Sequence, residues 1–126
     1  MSLRSPLGRV LGLGTARGGT DHWLGQRVSA LALALLGAWF TALLALADDL
    51  QYAAVIGLIG KPVNAVLLSL FCGTAAYHSY LGLTVVIEDY VHTSGIRITA
   101  LIAVRFAHFL VAIASIYAIL RIGIGA

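Results

Sequence analysis

Three long apolar stretches alternate with short polar breaks along this chain. The stretches cover 28–47, 63–87 and 98–120; none contains an acid, and only Arg105 and His108 interrupt the third. Each approaches or exceeds the roughly 20 helical residues needed to cross the hydrocarbon core of a bilayer. The breaks are sharp. Ala47-Asp48-Asp49 closes the first stretch, and Lys61-Pro62 opens the second, with proline tolerated in a first helical turn. Glu88-Asp89 closes the second, and Thr93-Ser94-Gly95 reads as a turn before the third. The pattern predicts one all-α integral membrane domain over 1–126. Its parts are a basic arm at 1–27 and transmembrane helices at 28–47, 63–87 and 98–120.

Composition supports that class. Hydrophobic residues make up 60% of the chain and charged residues 10%, whereas a soluble domain carries about 25% charged residues. Cys72 is the single cysteine, so no disulfide framework or cysteine-based metal site can form; it reads as a small core residue. The net charge of +3 comes without a basic run interleaved with aromatics, so nucleic acid is not an expected partner.

The cations set a direction. Arg4, Arg9, Arg17 and Arg27 precede the first span and Arg97 lies between the second and third, whereas Lys61 and Arg121 fall on the opposite side. Positive-inside counting places the N-terminus inside and the C-terminus outside. The N-terminal segment is not expected to be a signal peptide, because the apolar run after it is too long and no small-residue cleavage site follows. Gly12, Gly14 and Gly18 lack the strand and spacing of a phosphate loop.

Polar residues inside the spans carry the candidate chemistry. With about 100° per residue, Asn64, Phe71, Thr74, His78, Gly82 and Asp89 share one face of the second span. Ionisable groups in a span face a bundle interior or a cavity, so this stripe points at a partner or cofactor, and the chain is not expected to be stable alone. His78 lies ten residues before Glu88, roughly 15 Å along the axis. It either hydrogen-bonds a neighbouring helix or ligates a haem iron through one nitrogen while the other is held. Gly82, one turn on, leaves room for a flat macrocycle. Asp89 and Tyr90 are either interfacial anchors or the binding end for a quinone head. In the second case the phenol donates to a carbonyl and the carboxylate relays protons. Asp21, His22, Trp23, Gln26 and Arg27 cluster at the inner end of the first span. There Arg27 either snorkels or pairs with an anionic group such as a haem propionate. Arg105 either reaches the inner surface or pairs within the bundle, and His108 reads as a packing histidine.

Two motifs then stand together: "HWLGQRVSA" at the start of the first span and "YHSYLGLTVVIEDYVH" closing the second. The chain resembles the small hydrophobic membrane anchor subunits of succinate dehydrogenase (complex II) that carry one haem b. The resemblance implies His78 as an axial haem ligand, with the second ligand from a larger cytochrome b anchor subunit packed beside this chain. It implies Tyr90 at the quinone, ubiquinone being the expected substrate, with Asp89 beside it and Arg27 near the haem propionates. The role of His22 is left open by its order relative to Asp21. It also implies a flavoprotein subunit that oxidises succinate and an iron–sulfur subunit that carries the electrons. The setting is a bacterial or mitochondrial inner membrane. Other readings are a purely structural anchor, a fumarate reductase anchor and a small proton-conducting subunit.

Overall fold

The structure is a computed structural model and describes residues 19–125. Four helices follow one another: α1 Gly19–Ala45, α2 Tyr52–Ile59, α3 Pro62–Tyr90 and α4 Ser94–Gly123. No strand occurs among the described residues. The three long helices are long and apolar enough to cross a membrane. Alanine and leucine dominate them, at little helix-propensity cost. The one proline in a described helix, Pro62, sits in the first turn of α3 behind an extended Lys61, where it forfeits no helical bond.

The helices overrun the expected spans. α1 begins nine residues before position 28, so 19–27 are helical rather than part of an arm; the rest of that arm lies outside the described residues. α3 continues through Glu88 and Asp89 to Tyr90, and α4 already includes Ser94 and Gly95. The break between them shrinks to Val91-His92-Thr93. At about 1.5 Å per residue, helices of 27, 29 and 30 residues exceed a hydrocarbon core of roughly 30 Å. Their ends therefore have the length to project into the headgroup layers. The loop expected at 47–61 contains the short helix α2. Its apolar run is too brief to span a bilayer and so left no mark on a search for spans.

α3 is the central helix, with α1 and α4 packed on it and α2 lying against α3 and α4. Ala65, Leu68 and Ile119 form a small buried cluster, joined by Trp39, Phe40, Ile59 and Cys72. Phe40 of α1 stacks on Phe71 of α3 with ring centroids 5.3 Å apart. Asn64 donates to the Leu58 carbonyl at 2.8 Å and ties α2 to α3. Much of the polar stripe on α3 thus faces α1 and α2 of the same chain, not a foreign partner. Hydroxyls elsewhere in the spans return to their own helices: Ser69 to Ala65 O, Thr84 to Tyr80 O and Thr99 to Gly95 O. Lipid offers them no alternative partner.

The α3–α4 contact is polar at its centre. Arg105 donates from Nε and Nη2 to the Tyr80 phenol oxygen at 3.1 and 2.9 Å, and its guanidinium carbon lies 5.7 Å from the Tyr80 ring centroid. The arginine, exposed on the outside of the helices, thus pairs with a neighbouring helix of the same chain. His108 bonds the Val104 carbonyl through Nδ1 at 2.8 Å and Ser79 Oγ through Nε2 at 3.2 Å. Both of its ring nitrogens are used, as a packing histidine requires. In α1, Gly25 sits close against α3: a Cβ there would lie 2.8 Å from the Tyr77 hydroxyl and 3.4 Å from Leu81 Cδ1.

Two outcomes follow from these contacts. Gly25→Val is expected to push α1 from α3 and cost about 1–3 kcal/mol, seen as a lower melting temperature of the detergent-solubilised complex. An unchanged melt would show that Tyr77 swings away freely. Tyr80→Phe, which removes the acceptor for Arg105, is expected to cost about 1 kcal/mol in reversible unfolding from mixed micelles. The double variant Tyr80→Phe/Arg105→Leu should recover part of that loss.

Candidate functional site

The N-terminal end of α1 and the C-terminal end of α3 lie side by side because the helices run antiparallel. One face of α1 carries His22, Gln26 and Ser29, at i, i+4 and i+7. It meets a matching face of α3 that carries His78, Gly82 and Val85. Residues at this spacing fall on one side of a helix. Ser29 is the only buried polar residue among those described, 5% exposed. Its Oγ lies 2.9 Å from His78 Nδ1 and reaches back to the carbonyls of Gly25 at 2.7 Å and Gln26 at 3.1 Å. The other ring nitrogen, His78 Nε2, has only the Gln26 side-chain nitrogen near it, at 3.4 Å.

Alongside this contact runs an open groove of about 870 Å³. His22, Trp23, Gln26 and Arg27 of α1 line one wall, and His78, Gly82, Val85 and Glu88 of α3 line the other. Gly82 keeps the floor low: a Cβ there would meet nothing nearer than Gln26 Nε2 at 3.9 Å, so a larger side chain would rise into the groove. Arg27 holds its guanidinium carbon 5.6 Å from the Trp23 ring centroid. Arg27 and Glu88 place opposite charges along the same groove.

Two polar atoms here are buried without a hydrogen-bond partner among the described residues, His22 Nε2 and Gln26 Oε1. Both belong to residues lining the groove. Unpaired buried polar atoms cost about 1–3 kcal/mol each, so a concentration of them marks a place built to receive something polar. No cluster of three or more metal-binding side chains of the His, Cys, Asp and Glu types exists among the described residues. An iron held here by protein alone would lack ligands. A haem needs only one axial nitrogen from this chain, and the donor set fits that demand: an imidazole, an arginine for carboxylates and a glycine-floored slot.

Of the residues singled out in the sequence, His22, Arg27, His78 and Gly82 come together on the groove. Asp89 and Tyr90 do not. They occupy the last turn of α3, and Tyr90 is 79% exposed. Glu88, one position earlier, is the acid that lines the groove. Ser29 carried no assigned role in the sequence, although the i, i+4, i+7 spacing of His22, Gln26 and Ser29 was readable there.

The sequence matches the family of succinate dehydrogenase/fumarate reductase transmembrane subunits over residues 1–112. A protein of Rickettsia bellii (strain RML369-C), a succinate dehydrogenase hydrophobic membrane anchor subunit, is 32% identical over 116 residues, which is 92% of this chain and 93% of that protein. The subunit of the same description from Paracoccus denitrificans is 34% identical over 115 residues, 91% of this chain and 88% of its own length. The one from Rickettsia conorii (strain ATCC VR-613 / Malish 7) is 36% identical over 94 residues, 73% of this chain and 74% of its own.

Proposed function

The chain belongs to the family of succinate dehydrogenase/fumarate reductase transmembrane subunits, and from that premise we propose that its inner-side groove holds the edge of a haem b, with His78 as one axial ligand. It is a membrane anchor subunit of a succinate dehydrogenase, a multi-pass inner-membrane protein and not itself the catalyst of succinate oxidation. The observation that carries the haem reading is His78. Its Nδ1 is tied to the buried Ser29, while its Nε2 has only a 3.4 Å contact with a rotatable carboxamide, beside a groove with unpaired polar atoms.

When bound, the haem would supply a one-electron redox centre inside the membrane arm. This chain's own residues have narrower tasks. His78 would offer a ring nitrogen to the iron, and the open side of the groove would be covered by the larger cytochrome b anchor subunit, which would supply the other protein ligand. Arg27 offsets the charge of the propionate carboxylates, and Gly82 keeps the slot flat. His22 presents an unpaired nitrogen on the same wall.

Tyr90 and Asp89 serve the quinone at the inner surface, where the headgroup layer and the iron–sulfur subunit meet. The Tyr90 phenol donates to a quinone carbonyl, and Asp89 relays protons from the aqueous side. Their exposure at the end of α3 supports this reading, because a shared site must be open to the neighbouring subunits. Ubiquinone is the expected acceptor, with the N-terminus on the side of the flavoprotein and iron–sulfur subunits.

His78→Ala is expected to remove or strongly perturb the haem b spectrum of the assembled complex while the flavoprotein subunit remains attached. A wild-type spectrum at full haem occupancy would leave the chain a structural anchor. Tyr90→Phe is expected to lower succinate:quinone reductase activity about tenfold, the equivalent of one lost hydrogen bond to the quinone carbonyl. Succinate oxidation by an artificial acceptor should persist. Parallel loss of both activities would make Tyr90 a stability residue.

A further inference from the structure

The hydrogen bonds around His78 favour one direction. Ser29 has one hydroxyl proton, and two carbonyls on its own helix lie within its reach: Gly25 O at 2.7 Å, the shortest of its contacts, and Gln26 O at 3.1 Å. With the proton given to them, the oxygen accepts toward His78. Nδ1 at 2.9 Å then carries the ring proton. Nε2 is left with its lone pair, and the Gln26 amide N–H₂ donates to it at 3.4 Å. The chain runs from Gln26 Nε2 to the imidazole, to the Ser29 hydroxyl, to the α1 backbone, every donor pointing the same way.

We propose that Ser29 is the positioning residue for His78: it locks the imidazole in the Nδ1–H tautomer and holds Nε2 as the ligating atom beside the groove. Gln26 closes that nitrogen when no iron is present. This rests on the haem reading of His78 given above, and adds to it the residue that sets the ligand's tautomer and basicity. A backbone-anchored hydroxyl suits the task. Its proton has carbonyl acceptors at 2.7 and 3.1 Å on its own helix, which disfavours reversal of the bond. Ser29 is also 5% exposed, so no solvent competes for its oxygen. The Gln26 contact is of the opposite kind, long and carried by a side chain whose own oxygen is unpartnered. It can be given up at little cost. An acceptor on Nδ1–H raises the basicity of the ligating nitrogen, and partners of this kind typically change metal affinity by about 10–100-fold.

The test compares wild type, Ser29→Ala, Ser29→Thr and His78→Ala in the assembled, membrane-extracted complex. The readouts are haem content, the low-temperature electron paramagnetic resonance of the ferric haem, and a potentiometric titration. Ser29→Ala is expected to weaken haem retention about tenfold. It should also shift the ferric resonance and lower the oxidised-to-reduced ratio at a fixed potential severalfold, because a less basic ligand stabilises ferric iron less. Ser29→Thr, which keeps the hydroxyl, should restore these properties. Wild-type resonance, ratio and retention in Ser29→Ala would overturn the proposal. Full haem in His78→Ala would instead overturn the ligand reading beneath it, so the two failures are distinct. Should Ser29→Ala fail to assemble, the ¹⁵N spectrum of histidine-labelled, haem-depleted wild-type complex decides. A protonated Nδ1 and bare Nε2 on His78 support the proposal, and the reverse tautomer overturns it.

Discussion

The bond between Ser29 and His78 fixes how α1 sits against α3, and the groove between the two helices depends on that register. A hydrocarbon slab offers neither donors nor acceptors, so an imidazole and a hydroxyl in facing spans find each other or pay in full. With Ser29 opposite His78, Gly25 falls against Tyr77 and Leu81, and Gln26 against Gly82. Antiparallel geometry then brings His22 and Trp23 level with Val85 and Glu88, and the groove between them follows. A slip of α1 by one turn would bring Ser29 level with Thr74 or Gly82 and take from His78 Nδ1 its partner, while Ser29 kept its own-helix carbonyls.

The same rule sorts the other polar residues. Ser69, Thr84 and Thr99 bond carbonyls four residues back, which needs no neighbour and so carries no information about packing. Asn64, Arg105 and His108 bond across elements and hold α2 and α4 to α3. These contacts matter because the apolar core is small, with Ala65, Leu68 and Ile119 at its centre. Lipid tails are as apolar as leucine, so van der Waals fit and interhelical hydrogen bonds replace the hydrophobic drive between spans. Arg105 illustrates the balance. Its charge lies eleven residues into α4, and the phenol of Tyr80 is what makes that depth tolerable.

The sequence exposed features that depend on length and period, and hid those that depend on which surfaces meet. Three spans were legible because crossing a bilayer demands about 20 apolar residues. α2 was not, since eight residues satisfy no such demand. The face of α3 through Phe71, Thr74 and His78 was legible from a 100° turn. Its occupant was not: Phe40 and Ser29 of the same chain cover much of it. His22, Gln26 and Ser29 share a face by the same arithmetic, yet a motif read as a linear string conceals a stripe. Asp89 lies within about 20° of His78 by ideal geometry. The groove nevertheless takes Glu88, because the wall is set by where α1 lies and not by the angle on α3 alone.

His78 and His108 are alike in the sequence, each a lone histidine in a greasy helix, and their surroundings part them. Each nitrogen of His108 is satisfied by a group the helices hold in place, a backbone carbonyl at 2.8 Å and a serine hydroxyl at 3.2 Å. Freeing Nε2 would break a contact between α3 and α4, and freeing Nδ1 would forfeit a short side-chain bond to a backbone carbonyl. His78 has one nitrogen satisfied in that way and one closed only by a long contact to a flexible amide. A ligand that takes that second nitrogen displaces little and leaves the helix packing intact. What distinguishes His78 from His108 is thus not depth or exposure. It is that one ring nitrogen of His78 has only a long contact to a flexible side chain, whereas both of His108 are held by short bonds to its own helix and to α3.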